Sequence, residues 1–183
     1  MRTTIKQAFA TQAASVALLM VMLLTAASCQ KEEKEAPNEW KATNEAAIKK
    51  LAFESDYTPV NDPAGFGTLY IKWLKRGEGK RVYYTSHADV YYKGMLIDRT
   101  TFDKREFEDG EPFKVALSSG VSTAEYSAGV ISGWLLSLQY MTEGDKCEVW
   151  IPQALAYGSI DKPGIPGYST LIFEIEVVDV KQQ

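Results

Sequence analysis

Hydrophobic and polar positions alternate with a two-residue period in five stretches of the chain. Leu69, Ile71 and Trp73 alternate with Tyr70 and Lys72. Ala88, Val90 and Tyr92 alternate with Asp89 and Tyr91, up to Gly94. Phe113, Val115 and Leu117 alternate with Lys114 and Ala116. Cys147, Val149 and Ile151 alternate with Glu148 and Trp150. Leu171, Phe173, Ile175 and Val177 alternate with Ile172, Glu174 and Glu176. This period marks strands with one wet face, and five of them predict an antiparallel sheet. A helical period follows Val130-Ile131-Ser132-Gly133, where Trp134, Leu138 and Met141 stand at i, i+4 and i+7. The pattern predicts an extended approach turning into a short helix. A helix this short is marginal alone, so its apolar side must be buried, and the dry face of the sheet is what can bury it. The expected architecture is α+β: a twisted antiparallel β-sheet wrapped around one short central helix, over residues 65–181.

Upstream, Asn38 to Phe53 has Trp40, Ala47, Ile48, Leu51 and Ala52 near the helical period, with Asn38 or Thr43 as a cap. Ser55 to Gly67, with Pro59, Pro63, Gly65 and Gly67, reads as a linker. Residues 38–64 are thus expected to be a helical extension plus linker. The pattern leaves open whether the helix lies on the domain, pairs with another copy or acts as a spacer. Residues 1–28 carry Arg2 and Lys6, an apolar run from Ala14 to Ala27, and small residues before Cys29. That is a secretory signal, too short for a permanent span. A cysteine directly after small residues resembles the bacterial lipobox. The resemblance implies lipidation of Cys29 and a membrane anchor of several acyl chains. Residues 29–37 are charged and lack bulky apolar side chains, as a disordered tether does. Cys29-Gln30-Lys31-Glu32-Glu33 resembles the signal that sends some lipoproteins to the cell surface. The expected location is therefore the bacterial cell envelope, on the outer membrane.

Charge and cysteine content narrow the function. Removing residues 1–28 takes away two basic and no acidic residues, so the net charge moves from −4 to −6. A net-acidic domain without a Lys/Arg cluster argues against nucleic acid as a partner. Apart from Cys29 the only cysteine is Cys147, so no intramolecular disulfide is expected, and Cys147 reads as a small buried hydrophobe. The single histidine, His87, opens a strand and has no Gly-x-Ser-x-Gly elbow to serve. No His/Cys cluster has metal spacing. Arg76-Gly77-Glu78-Gly79 is a turn, since no Gly-Lys-Ser/Thr and no helix follows it. Glu106 and Glu108 lie in a polar loop and nothing supports a glycosidase pair. No cofactor and no metal are expected. An enzyme built this way needs little acid, base or nucleophile.

What remains is apolar and aromatic. Phe102-Asp103 and Ala156-Tyr157-Gly158 place aromatic rings in polar or turn-rich segments, where a ring has little reason to be unless it lines a cleft. Several further motifs follow in order. They are Val90 to Leu96 (VYYKGML), Thr101-Phe102-Asp103, Pro112-Phe113, Val130-Ile131-Ser132-Gly133-Trp134, and Met141 with Gly144. Ile151 to Gly158 (IPQALAYG), Gly164-Ile165-Pro166 and Ser169 to Phe173 (STLIF) complete the series. Together they resemble an FKBP-type peptidyl-prolyl cis-trans isomerase from about Gly67 to Val180.

The resemblance implies a sheet wrapped around one short helix and a proline pocket. Tyr92, Phe102, Phe113, Val130, Trp134 and Phe173 fall on the family's substrate-binding positions, and Ile165 on its far rim. Asp103, the Tyr157 hydroxyl and the Ile131 backbone N–H fall on its catalytic polar groups. The implied partners are proline-containing polypeptides, and the implied activity is rotation about X–Pro bonds.

Three features depart from the family. Ser118 to Gly129 is a longer, exposed connection into the helix. Arg99 stands where glycine is frequent. One Gly/Pro cluster alone, Pro163 to Pro166, closes the far rim. The long connection keeps a second function in view, a non-catalytic chaperone or peptide-binding module using the same cleft. A surface receptor for a glycan is suggested by the anchor alone. Nothing in the pattern indicates an oligomeric state.

Overall fold

In the computed structural model, residues 38–117 and 125–182 are described. The signal segment, Cys29, the tether and residues 118–124 of the long connection lie outside the described residues. The described residues form one compact unit. Its elements are α1 (Glu39–Lys50), a 3-10 turn (Leu51–Phe53), β1 (Thr58–Asn61), β2 (Thr68–Lys75), β3 (His87–Met95), β4 (Thr101–Arg105), β5 (Phe113–Ala116), α2 (Ser132–Leu138), β6 (Lys146–Ile151) and β7 (Leu171–Lys181).

All seven strands join one antiparallel sheet in the order β1-β2-β6-β7-β3-β4. The other edge of β3 is shared: its second half pairs with β4 and its first half with β5. The alternation places Ile71, Val90, Val149, Phe173 and Ile175 on one face, where α2 lies. Leu138 and Met141 are fully buried there, and Trp134 is nearly so. Cys147 is buried in the same core, and burial pushes its thiol up to about 12. His87 opens β3 and stacks on Tyr126 at 4.1 Å.

Two strands correct the expectation from sequence. β1 lies inside the expected linker and pairs with β2 through Thr58↔Ile71 and Val60↔Leu69. It carries Pro59 and buries Val60 alone, which an edge strand tolerates and alternation cannot reveal. β4 reads Thr-Phe-Asp-Lys-Arg and buries no residue fully; its charges suit a sheet edge.

α1 lies on the domain, capped by Asn38, whose side chain accepts from Lys41 N. Ile48 and Leu51 pack on Met95, Trp150 and Ile172, so at this end the outer face of the sheet is dry rather than wet. Each such burial is worth about 1.5–3 kcal/mol. Ala52, expected on this face, is exposed, whereas the polar Asn44 is fully buried.

A buried carboxylate ties the same end together. Glu148 accepts from Tyr57 Oη at 2.6 Å, Trp150 Nε1 at 2.7 Å and Arg99 Nη1 at 2.6 Å. Burial opposes its charge, but these donors outweigh burial and hold Glu148 below the usual carboxylate range. Arg99 has φ 69°, a conformation glycine adopts without strain; its side chain on Glu148 helps hold the turn there. Among the described residues no helix is long and apolar enough to cross a membrane.

Candidate functional site

The site forms where α2 starts. Ile131 is extended (φ −64°, ψ 153°) and the helix begins at Ser132. A Cβ at Gly133 would overlap Ile151 Cγ2, so glycine is what lets this first turn sit against β6. That close seating carries Trp134 into the sheet's concave face.

Three rings meet the Trp134 indole edge-on. Their centroids are 5.0 Å (Tyr92), 5.3 Å (Phe173) and 6.1 Å (Phe113) from it, at interplanar angles of 84°, 87° and 81°. Phe102 stands edge-on to Phe173 at 5.6 Å. Edge-to-face pairs of this kind add about 0.5–1.5 kcal/mol each beyond the area they bury. The rings therefore hold one another in place around a cavity of about 140 Å³, which Val130, Ile131, Gly129, Asp103 and Tyr157 complete.

The position of Phe102 and Phe173 depends on Gly94 of β3, which pairs with Phe173 on β7 and with Asp103, next to Phe102, on β4. A Cβ there would lie 2.7 Å from Phe173 Cε1 and 2.8 Å from Phe102 Cε2.

The polar groups sit at the cavity wall. Tyr92 Oη donates to Asp103 Oδ2 at 2.7 Å. Burial raises the Tyr92 hydroxyl pKa, and the Asp103 hydrogen bond and charge raise it further. The Tyr157 hydroxyl is raised by burial and by the Asp103 charge. Both phenols therefore stay protonated at neutral pH and act as O–H donors. The Ile131 N–H makes no hydrogen bond among the described residues. The buried Trp134 Nε1 likewise has no hydrogen-bond partner there. Lys162 Nζ lies 5.6 Å over the Tyr157 ring. Among the described residues no group of His, Cys, Asp and Glu is arranged to hold a metal ion.

Of the residues singled out from sequence, Tyr92, Phe102, Phe113, Val130, Trp134 and Phe173 all line this cavity, as do Asp103, Ile131 and Tyr157. Ile165 does not. It is 6% exposed and belongs to the core, and it borders a neighbouring groove with Leu96 and Pro166. Reciprocal hydrogen bonds between Lys162 and Ile165, both 2.9 Å, close a tight turn through Gly164 at φ 74°, and Ile165 is tucked in behind it. Sequence reasoning missed Gly129 and the packing of Gly94 against the two rings, and it did not anticipate that Asn44 is buried. A polar residue four positions from both Trp40 and Ile48, on a helix's apolar stripe, was the signal available for Asn44.

A larger cavity of about 300 Å³ lies mainly on the outer face of the sheet. Charged side chains such as Lys93, Glu106, Glu174 and Glu176 dominate its walls, so it lacks the apolar lining of the Trp134 site.

A sheet closed over one helix, with an aromatic box at the helix N-terminus and a few polar groups at its wall, defines a binding domain for a small apolar moiety. Comparison with known proteins gives that class its family. Residues 78–178 match the family model described as FKBP-type peptidyl-prolyl cis-trans isomerase. The chain belongs to this family.

It is 36% identical over 151 residues to the FKBP-type peptidyl-prolyl cis-trans isomerase FkpA of Buchnera aphidicola subsp. Baizongia pistaciae, covering 82% of this chain and 53% of that one. It is 34% identical over 151 residues to FkpA of Escherichia coli, covering 82% and 50%. The chain thus spans about half the length of the curated relatives it matches. Among solved structures, a peptidyl-prolyl cis-trans isomerase from Pseudomonas syringae pv. tomato superposes with TM-score 0.65 at 27% identity, covering 81% of this chain and 98% of that one. The crystal structure of Escherichia coli FkpA gives TM-score 0.63 at 30% identity, covering 98% and 71%.

Proposed function

We propose that this domain is a peptidyl-prolyl cis-trans isomerase that takes the proline ring of an extracytoplasmic polypeptide into the Trp134 cavity. The observation that carries the reading is the apolar box of Tyr92, Phe113, Trp134 and Phe173, with two neutral phenols at its wall and the Ile131 N–H, which has no hydrogen bond among the described residues.

The reaction suits such a site. An X–Pro bond turns over tens to hundreds of seconds unaided. Its barrier, about 18–20 kcal/mol, is the loss of amide resonance. A twisted amide is less charge-separated than a planar one, so an apolar, water-poor cavity favours the twisted form. That is differential binding, and each 1.4 kcal/mol or so of it is tenfold in rate. The indole holds the pyrrolidine ring. The Ile131 N–H and Tyr157 O–H hold flanking carbonyls, so that the X–Pro bond alone turns. Tyr92 fixes the Asp103 carboxylate beside the substrate. No step transfers a proton or forms a covalent bond.

The test is a protease-coupled assay of a proline tetrapeptide with the full chain. Turnover above the spontaneous rate supports the isomerase. Peptide binding with only the spontaneous rate supports a non-catalytic binding module instead.

We further propose that Cys29 is lipidated and holds the domain at the bacterial cell envelope. Labelled palmitate incorporated by the chain but not by its Cys29→Ser variant supports this, and label in neither contradicts it.

A further inference from the structure

The helix ahead of the sheet touches the cavity's surroundings through one loop. Trp40 Nε1 donates to Ser169 Oγ at 3.0 Å, and Ser169 Oγ donates to the Pro166 carbonyl at 2.6 Å. Asn44 Oδ1 accepts from Thr170 N at 2.8 Å, while Asn44 Nδ2 donates back to the Trp40 carbonyl at 2.8 Å. Asn44, Ser169 and Thr170 are 0%, 4% and 2% exposed, so the Asn44–Thr170 bond is shielded from water, while Trp40 is half-buried. Lys41 Nζ lies 5.0 Å over the ring of Tyr168, whose φ of 64° is unfavourable for a bulky residue.

The loop is bonded to the segment that carries one cavity wall and runs close beside another. Tyr168 N donates to the carbonyl of Gly158, next to Tyr157, at 2.6 Å. At the loop's other end a Cβ on Gly164 would lie 3.7 Å from Phe102 Cβ.

We propose that α1 is part of the binding site: Trp40 and Asn44 are positioning residues that hold the Gly164–Thr170 segment, and through it Tyr157 and Phe102, in register for a prolyl peptide. The proposal rests on the isomerase reading for what the site binds. A purely stabilising role fits the contacts less well. β7 is already held along its length by β3 and β6, whereas the bonds from α1 go to Ser169 and Thr170, before the strand begins. Losing them loosens the loop and leaves the sheet intact.

The test uses the full chain with Trp40→Phe, which keeps a ring but removes the donor, and with Asn44→Ala. Three quantities are read: KM and kcat for a proline tetrapeptide, Kd for the same peptide, and amide hydrogen exchange. Trp40→Phe should raise KM and Kd by up to about fivefold, the worth of one ordinary hydrogen bond, and lower kcat by less than that, since Tyr157 and Phe102 are loosened but not removed. Exchange should quicken at Gly167, Tyr168 and Thr170 but not at Val149 or Ile175 in the core strands. Ser169→Ala removes the bond to the Pro166 carbonyl as well as the one from Trp40, so it should raise KM and Kd more than Trp40→Phe does, and adding Trp40→Phe to it should bring little further loss.

Unchanged KM and Kd in a folded Trp40→Phe chain overturn the proposal. So does exchange that quickens uniformly across the sheet, which would make α1 a prop for stability alone. If the unsubstituted chain shows no turnover, it is the isomerase reading that fails. The latch then stands or falls on peptide Kd and on exchange in the loop.

Discussion

Replacing Gly94 with alanine should damage the cavity without touching any polar group. The added carbon would sit 2.7 Å from Phe173 Cε1 and 2.8 Å from Phe102 Cε2 and Cζ, so both rings must retreat by roughly 0.7 Å to reach the 3.4 Å edge of ordinary contact. Phe102 is half-buried. Phe173 is 5% exposed and stands edge-on to Trp134, so its displacement strains the box itself. Overpacking of this kind costs about 1–3 kcal/mol. For a domain of this size each kcal/mol lowers Tm by about 2–4 °C, so the expected drop is roughly 2–12 °C. Both rings line the cavity, and misplacement by up to 1 Å reduces turnover by as much as about a hundredfold. Thermal melts and the proline-peptide assay on the same preparation read the two effects. Phe102→Leu placed in the Gly94→Ala background shortens one obstructing ring, so it should recover part of the Tm but not the peptide affinity. A Gly94→Ala chain with unchanged Tm and unchanged turnover would mean the rings do not cross the strand there.

Three further outcomes follow from the same geometry. Asp103→Asn keeps an acceptor for the Tyr92 hydroxyl but removes the charge beside the peptide, so turnover should fall more than tenfold while Tm moves little; equal losses in both would assign Asp103 to the fold instead. Glu148 is held below its unfolded value, about 4.3, so its charge contributes stability above that pH, and this is lost as pH falls through the folded value. Glu148→Gln should therefore be less stable at neutral pH by about 1–3 kcal/mol and flatten the acid side of a Tm-versus-pH profile; an unaltered acid limb would contradict the assigned network. Cys147 is fully buried with its thiol pushed up to about 12, so a maleimide should leave it unmodified in the native chain and label it in denaturant. Rapid native labelling at Cys147 would place it elsewhere.

The five strands with strong alternation, and the helix that starts at Ser132, were legible because one face of each feeds the main core; the burial of Trp150 and Ile172 on the other face, under α1, was not. β1 and β4 were not, because edge strands carry few buried residues and their charges and proline hide the period. The cavity was legible for two reasons of different kinds. Phe102 and Tyr157 stood out as rings in polar segments, which is a physical signal. The remaining walls came from the resemblance, since a single alternating Phe113 or Phe173 looks like any core residue.

Contacts between distant positions were out of reach. Asn44 and Thr170 lie 126 residues apart, and nothing in either neighbourhood names the other. Ile165 was expected at the rim because the motif puts it there. The hydrogen-bonded turn that buries it depends on Lys162 and on the backbone of Gly164, which a residue pattern does not encode.

The most direct test of the central claim is magnetisation exchange by NMR between the cis and trans signals of a proline peptide, in the presence of a small amount of the full chain. It reads binding and bond rotation in one experiment and needs no helper protease. Exchange cross-peaks that grow within a second, and vanish when Asp103→Asn replaces the unsubstituted chain, are the predicted result. Broadened peptide signals with no exchange between the two forms would show a cavity that grips proline and does not turn it.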